Sequence, residues 1–428
     1  MPSFAIHTLG CRANQADSER LREILLGAGF EEVDFTQPAD VRVVNTCTVT
    51  SEADRKSIQL IRRGMRHGGR VVATGCAVAA RGGLIKGERL PSAVLRLEPG
   101  RSDELLGLLG VQSCPNTRLV DGEVAQRRTR ALLKVQDGCD QFCTFCIVPY
   151  VRGRSRSFPV ETLCEQARAM ERSGYREIVL TGIHLAVWGR ELEPAQDLSS
   201  LLRRLLDATV EVRFRLSSIE PDCFPRDLFG LMKDSPRRVC PHLHLALQHA
   251  SDRVLARMRR DYDLAHYRSL VEQFTREVPG ACLTSDLMVG FPGETEEDFG
   301  ILMDTVRRTP FFRLHIFPYS PRPGTAAARF PDQVPPEVRL SRRDRLLRLA
   351  EAKRVEFMRS CRGQERVVLV EGEGPAPGTM TGLTDNYLPV VLPGGPPLQG
   401  RLARVRLGRR RGEAVSATLV REEFLTGS

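Results

Sequence analysis

Along the first quarter of the chain, short β-branched runs alternate with segments whose apolar residues recur at helical spacing. That alternation predicts repeated strand and helix units on a parallel sheet. The strands read Phe4-Leu9, Val41-Asn45, Arg70-Thr74 and Ala93-Leu97. Between the first two, Leu21, Ile24, Leu25 and Ala28 fall on one face of a helix that ends at Gly29. A polar stretch from Cys114 to about Arg130 reads as a linker, and a second set of units follows. Its strands are Leu132-Gln136, Ile178-Thr181, Val212-Ser217, Leu243-Gln248, Leu283-Val289 and Arg313-Phe317. Six units are too few for a closed eight-fold barrel, but enough for an open one whose strand ends face a common mouth.

Within this second set, Gly290-Phe291-Pro292-Gly293 closes a strand, and Thr295 with Asp298 three residues on has the pattern of a helix N-terminal capping box, Asp standing for Glu. A long charged helix from about Pro335 to Cys361 leads into a tail of short alternating runs broken by Gly and Pro, which reads as a small all-β module. In that tail the period-2 pleat sets Arg404 and Arg406 on one face and Val405 and Leu407 on the other. The predicted fold class is therefore α/β: an N-terminal open parallel sheet domain (1–113), a linker (114–129), a central partial (β/α)6 barrel (130–361) and a C-terminal β module (362–428).

Charge and composition narrow the function. Apolar residues make up 41% of the 428, charged residues 27%, and no run approaches the roughly 20 apolar residues of a membrane-spanning helix, so a soluble, cytoplasmic protein is expected. The start of the chain carries neither a basic segment nor an apolar signal core. Twelve cysteines in an unexported protein point to metal rather than disulfides. The net charge of +10 suits a polyanionic partner, nucleic acid foremost. Six arginines and no acid between positions 401 and 411 offer a strip that tracks a phosphate backbone, or alternatively a strand edge guarded by charge.

Cys139, Cys143 and Cys146 are spaced C-x-x-x-C-x-x-C on one loop just after a strand. Three thiolates hold three irons of a four-iron four-sulfur cubane and leave the fourth iron without a protein ligand. If S-adenosylmethionine chelates that iron, an electron from the cluster cleaves the sulfonium and releases a deoxyadenosyl radical, the cofactors carrying the chemistry while the protein positions them. The competing reading is a zinc site completed by His242 or His244. A second triad, Cys11, Cys47 and Cys76, is dispersed in sequence, yet each member lies just beyond one of the first three strands. Parallel strands share one edge, so the three thiols converge there, with Gly10 and Gly75 allowing close approach of a bulky ligand. Two triads imply two clusters. Three unrelated buried thiols are the alternative. Cys114, Cys164, Cys223, Cys240, Cys282 and Cys361 show no ligand spacing and read as structural, although Cys223 and Cys240 flank a predicted helix.

With these residues in view, the sequence resembles the radical S-adenosylmethionine methylthiotransferases over essentially its whole length. These enzymes join an N-terminal cluster domain, a radical domain and a C-terminal RNA-binding TRAM module. Leu9-Gly10-Cys11-Arg12-Ala13-Asn14-Gln15, Leu133-Lys134-Val135-Gln136-Asp137-Gly138-Cys139 and Arg215-Leu216-Ser217-Ser218-Ile219-Glu220-Pro221 look most like the branch called MtaB, which acts on N6-threonylcarbamoyladenosine beside the anticodon of tRNA. The resemblance implies two 4Fe-4S clusters and S-adenosylmethionine, with catalysis borne by the clusters rather than by a side chain. The radical cluster would remove hydrogen from C2 of the adenine, and the cluster at Cys11, Cys47 and Cys76 would supply the methylated sulfur. It also implies tRNA as partner, an electron donor of flavodoxin or ferredoxin type, and a sulfur source.

Where the branch usually reads L-P-L-Q-S-G-S, this chain has Leu245-Ala246-Leu247-Gln248-His249-Ala250-Ser251, and Arg12 stands where lysine is commoner. Ser217 and Gln248 are assigned to cofactor binding on position alone. Arg152, Arg154 and Arg156, directly after the radical triad, either grip anticodon-loop phosphates or pair with nearby acids. Isopentenyladenosine in tRNA, an aspartate of a ribosomal protein, and a non-catalytic metal-stapled RNA-binding protein are the alternatives in function.

Overall fold

The computed structural model describes residues 1–80, 84–85, 88–111 and 128–422. The predicted linker, with Cys114, lies almost wholly outside them. Two compact units separate: one holds the described residues of Met1–Ala125 together with Asp137–Arg156 and Ser320–Arg329, the other those of Gln126–Gln136, Ser157–Tyr319 and Phe330–Ser428.

The first unit is a parallel sheet of β1 (Ser3–Thr8), β2 (Glu31–Glu32), β3 (Val41–Thr46), β4 (Arg70–Gly75) and β5 (Val94–Arg96), in the order β2-β1-β3-β4-β5. Every residue of β3 is buried, as a central parallel strand covered on both faces requires. Helix α1 (Arg12–Gly27) buries Leu21, Ile24 and Leu25 against Phe4, Val43 and Val72. It stops as the backbone turns to φ +83° at Gly29, a left-handed conformation that glycine adopts without strain. Helix α2 (Ser51–Arg66) is capped by Thr50, whose hydroxyl accepts the Ala53 N–H at 3.1 Å. The short α3 (Cys76–Ala79) begins directly where β4 ends.

In the second unit, strands β6 (Ala131–Lys134), β7 (Glu177–Thr181) and β8 (Arg213–Leu216) form one parallel sheet. Strands β9 (Ser218–Ile219), β10 (His242–Leu245), β11 (Cys282–Val289) and β12 (Phe311–Pro318) form another. Only Ser217 separates β8 from β9. The six predicted strands are thus present, as a partial barrel around a core that includes Ile178, Phe214, Leu243 and Leu287. The capping box closes as read: Thr295 accepts from the Asp298 N–H, and Asp298 accepts from the Thr295 N–H at 2.8 Å. The long helix runs Pro336–Ser360.

The tail folds into a closed five-stranded barrel of β13 (Glu365–Glu373), β14 (Thr379–Thr384), β15 (Pro389–Pro393), β16 (Leu402–Arg411) and β17 (Ala414–Glu422). Closure leaves no unpaired sheet edge. Val405 and Leu407 are buried in it while Arg406 is exposed, as the pleat predicted. Its core continues into Cys282 and Phe312 at the first residues of β11 and β12, and into Met358 and Cys361 at the end of the long helix. The module therefore sits on the base of the partial barrel, at the N-terminal ends of its strands.

Buried charge reinforces that seating. Glu177, at the start of β7, takes Arg213 Nε at 2.8 Å and Arg215 Nε at 2.6 Å. The remaining guanidinium N–H groups reach carbonyls of the tail barrel: Val367 at 3.0 Å, Leu383 at 3.3 Å, Thr384 at 3.0 Å and Asp385 at 2.9 Å. All three side chains are inaccessible to solvent. Burial alone would raise the Glu177 carboxyl's pKa; the two guanidiniums outweigh it and hold the group far below the usual carboxylate range.

Candidate metal centres and barrel mouth

Cys11 precedes α1, Cys47 follows β3 and Cys76 opens α3, so each thiol leaves the carboxyl edge of the N-terminal sheet. Asn14, on the first turn of α1, ties these turns together. Its amide donates to the carbonyls of Leu9 at 2.8 Å and Thr46 at 2.9 Å, and its Oδ1 lies 4.0 Å from Cys11 Sγ and 3.9 Å from Cys76 Sγ. Gly10 (φ +102°) has no room for a side chain, since a Cβ there would stand 3.2 Å from Cys47 Sγ. At Gly75 (φ +90°) a Cβ would meet the Thr46 carbonyl at 2.4 Å. The sequence reading had the glycines admitting a ligand; the structure shows that they also let the three cysteine-bearing turns close on one another. Cys47 is held from behind by Ser57, whose hydroxyl donates to its carbonyl at 3.0 Å. Beyond it, Thr48 and Asp54 are bound by the buried Arg322.

Burial pushes the Cys47 thiol up to about 11, and the neighbouring Cys76 and Cys11 add to the rise. Burial raises Cys76 as well, opposed by the Arg152 guanidinium. Clustered thiols of this kind give up their protons when a cation takes the electron pairs, which couples metal binding to proton release.

The second triad occupies the loop between β6 and α4 (Val148–Arg152). This loop belongs to the first compact unit, where Ile147 and Val151 pack on Cys76. Gly138 (φ +70°) permits the turn, since a Cβ there would fall 1.9 Å from the Arg154 carbonyl. The Cys139 N–H donates to Gly153 at 3.1 Å and the Cys146 N–H to Cys143 at 3.0 Å. Phe142, between the first two cysteines, is held at φ +47°, a strained conformation for a bulky residue and one found mostly where function requires it.

The arginines after this loop differ from the phosphate-gripping alternative. Arg152 points inward with no exposed side-chain surface. It bonds Asp137 at 3.0 and 3.3 Å, Asp17 at 3.0 Å, Asn14 Oδ1, and the sulfur of Cys76 at 3.3 Å through Nε. Arg154 pairs with Asp140 at 2.8 Å but remains largely exposed. Arg152 and Arg154 thus follow the acid-pairing alternative read from sequence, although spacing could not name Asp17 as one of the acids because it lies far from Arg152 along the chain.

At the partial barrel's mouth, Ser217 follows β8 with its hydroxyl buried and, among the described residues, without a hydrogen-bond partner, the kind of orphan a polar ligand satisfies. Gln248 follows β10 at φ +59°, fixed by its N–H to Asp286 at 2.9 Å and its carbonyl to Met288 at 2.8 Å. The unusual His249 and Ala250 are packed inside rather than at the mouth. His249 Nδ1 accepts the Ser251 N–H at 3.0 Å, its Nε2 stands 3.7 Å from Glu294, and burial pushes its pKa down to about 3. His242 and His244, considered for zinc, both bond Thr284 at 3.0 Å; His242 also stacks on Tyr387 at the barrel's base, and His244 faces Asp286 at 3.3 Å. One grouping escaped the sequence reading: His184, Asp222 and Cys223 offer ligand atoms within 4.8 Å of one another after β7 and β9. Cys240, Cys282 and Cys361 are buried core thiols.

On the tail, Arg401, Arg406 and Arg410 are paired with Glu422, Glu365 and Glu351. Among the described residues, Arg409 and Arg411 have no carboxylate partner. Both are exposed. No helix among the described residues is long and apolar enough to cross a membrane.

Three family models match the chain in succession: "Uncharacterized protein family UPF0004" over residues 3–94, "Radical SAM superfamily" over 133–306 and "TRAM domain" over 359–419. The chain is 36% identical to the threonylcarbamoyladenosine tRNA methylthiotransferase MtaB of Bacillus subtilis, covering 95% of this chain and 94% of the relative. It is equally 36% identical to the tRNA-2-methylthio-N(6)-dimethylallyladenosine synthase of Moorella thermoacetica, over 95% and 96%. Among solved structures, the radical S-adenosylmethionine methyltransferase TsrM of Kitasatospora setae, with cobalamin and a [4Fe-4S] cluster bound, shares the fold at TM-score 0.53 and 14% identity, over 89% of this chain and 81% of that one. Parallel sheet, partial barrel and TRAM barrel in that order, with relatives matched end to end, establish that the chain belongs to the radical S-adenosylmethionine tRNA methylthiotransferases, enzymes that work with S-adenosylmethionine and 4Fe-4S clusters on tRNA.

Proposed function

We propose that the chain methylthiolates C2 of N6-threonylcarbamoyladenosine beside the anticodon of tRNA, in the cytoplasm. Its domains would run 1–113, 130–361 and 362–428 about a linker at 114–129. Cys139, Cys143 and Cys146 would hold one 4Fe-4S cluster and Cys11, Cys47 and Cys76 the other. The carrying observation is that two separate sets of three thiols are shaped by glycines where a Cβ would collide, Gly10 and Gly75 for one and Gly138 for the other. Three cysteines are also the number that leaves one iron of a cubane free for a non-protein ligand. When bound, the first cluster supplies reductive cleavage of S-adenosylmethionine and the second supplies sulfur.

The chain's own residues do the positioning. Gly138 and Asp137 shape the radical loop, Asn14 and Ser57 fix the N-terminal triad, and Ser217 and Gln248 would contact S-adenosylmethionine at the mouth. The exposed Arg409 and Arg411 would contact tRNA phosphates. A flavodoxin or ferredoxin would supply electrons, and a separate donor the sulfur.

Relatives named MtaB in Bacillus subtilis, Aquifex aeolicus and Thermotoga maritima, at 34 to 36% identity, favour threonylcarbamoyladenosine. The Moorella relative keeps dimethylallyladenosine as the second reading. Nucleoside mass analysis of tRNA from a deletion strain decides. Loss of the 2-methylthio derivative with accumulation of N6-threonylcarbamoyladenosine is expected; accumulation of isopentenyladenosine instead transfers the assignment to the second reading.

A further inference from the structure

The Arg152 guanidinium reaches both cysteine-bearing regions of the first unit. On one side stand Cys76 Sγ and Asn14, on the other Asp137, one residue before Gly138 of the radical loop. Its side chain is wholly buried, and its charge faces Asp17, Asp137 and the Cys76 sulfur. Asp137, Asp17 and Asn14 take N–H groups of its two terminal nitrogens, and the remaining Nε–H donates to the Cys76 sulfur at 3.3 Å.

We propose that Arg152 is a positioning residue for the N-terminal cluster: by donating Nε–H to the Cys76 thiolate, it raises the one-electron reduction potential of the cluster held there and registers that thiolate against the radical loop. The inference rests on the ligand assignment proposed above. Reduction adds one electron, hence one negative charge, to a site enclosed in low-dielectric surroundings. A guanidinium does not release its proton, so the added charge is met by a fixed cation and no proton moves. Hydrogen bonds to the sulfurs and local net charge are among the factors that set such potentials.

The test uses the full chain carrying Cys139→Ala, Cys143→Ala and Cys146→Ala, so that only the N-terminal cluster is read. Its midpoint potential is measured by titration monitored through electron paramagnetic resonance, with Arg152 intact, Arg152→Lys and Arg152→Gln. Arg152→Gln should disfavour reduction at least tenfold, a shift of about 59 mV or more to negative potential for one electron. Arg152→Lys keeps the charge but cannot span sulfur and both carboxylates, so it should retain four irons and disfavour reduction by between about twofold and tenfold. If Arg152→Gln loses iron, the lysine variant decides. A background that binds no iron would overturn the ligand assignment and the proposal with it. An iron-bearing background whose reduction equilibrium changes less than twofold in the variants would overturn the proposal alone, leaving Arg152 as a structural latch.

Discussion

Replacing Glu177 with Gln would test how the TRAM barrel is fixed to the catalytic barrel. The Glu177 carboxylate pairs with both Arg213 and Arg215, and all three side chains are buried. In Glu177→Gln the two guanidiniums keep their bonds to Val367, Leu383, Thr384 and Asp385 but lose their counter-charge, and the new amide presents donors to donors. Removing one partner of a buried ion pair costs about 3–5 kcal/mol. Because 1.4 kcal/mol is tenfold in an equilibrium constant, local opening of the junction should rise by about a hundredfold to a few thousandfold. A chain of several modules has no single unfolding free energy, so the suitable assay is site-resolved amide hydrogen exchange by mass spectrometry. Peptides spanning β13 and β14 should exchange at least about a hundredfold faster, while β1, β3 and β4 remain as in the parent. Adding Arg213→Met to Glu177→Gln should cost less than the two single effects together, because each removes the other's penalty. Unchanged exchange at β13 and β14, or strict additivity, would refute this account of the junction.

Other expectations follow from single sites. His249 is buried neutral, with Asp298 acting to raise its pKa and Arg342 and Arg253 to lower it; the unfolded chain takes up a proton there below about pH 6.5, whereas the folded chain holds out to about 3, so stability falls as pH drops through that window. His249→Ser should remove on the order of 2 kcal/mol of this loss between about pH 6.5 and 4.5, read as a flatter acid limb in thermal melts against pH; a limb that keeps the parent slope disproves it. Gly138→Ala should lower bound iron by about half, from about eight per chain towards four, because a Cβ collides with the Arg154 carbonyl; iron at the parent level would count against the loop geometry. Arg409→Glu with Arg411→Glu should weaken tRNA binding and lower its salt dependence by a slope of about 2, measured by filter binding at several salt concentrations; an unaltered slope places the phosphate contacts elsewhere.

Periodicity was enough for the scaffold. Strand runs ending at Leu9, Asn45 and Thr74 placed Cys11, Cys47 and Cys76 on one sheet edge, because parallel strands share a direction. The six barrel strands were legible for the same reason, and Thr295 with Asp298 marked its helix because capping is a local exchange of hydrogen bonds. What escaped was long-range pairing of charge. Spacing left Arg152 open between phosphates and nearby acids; it pairs with acids, but nothing within a turn of it predicts Asp17 or the Cys76 sulfur as partners. Arg213 and Arg215 sit inside a strand whose alternation is the same whether arginine faces water or a buried Glu177. At His249 and Ala250 the sequence shows a departure but not which way the side chains face; both pack inside, against neighbours such as Glu294 from a later turn.

The seating of the TRAM barrel at the strand starts makes this half of the enzyme a gauge of fixed height. Ser217 and Gln248 lie at the opposite, carboxyl ends of the strands, and β11 alone crosses the barrel in eight residues. At about 3.3 Å per residue that is roughly 25 Å from base to mouth. A free nucleoside or a very short oligomer is too small to engage both ends. On the proposed assignment of phosphate contacts to the tail and of the target base to the mouth, only an RNA whose own fold spans that separation fits, which would make recognition a measurement of distance as much as of chemistry.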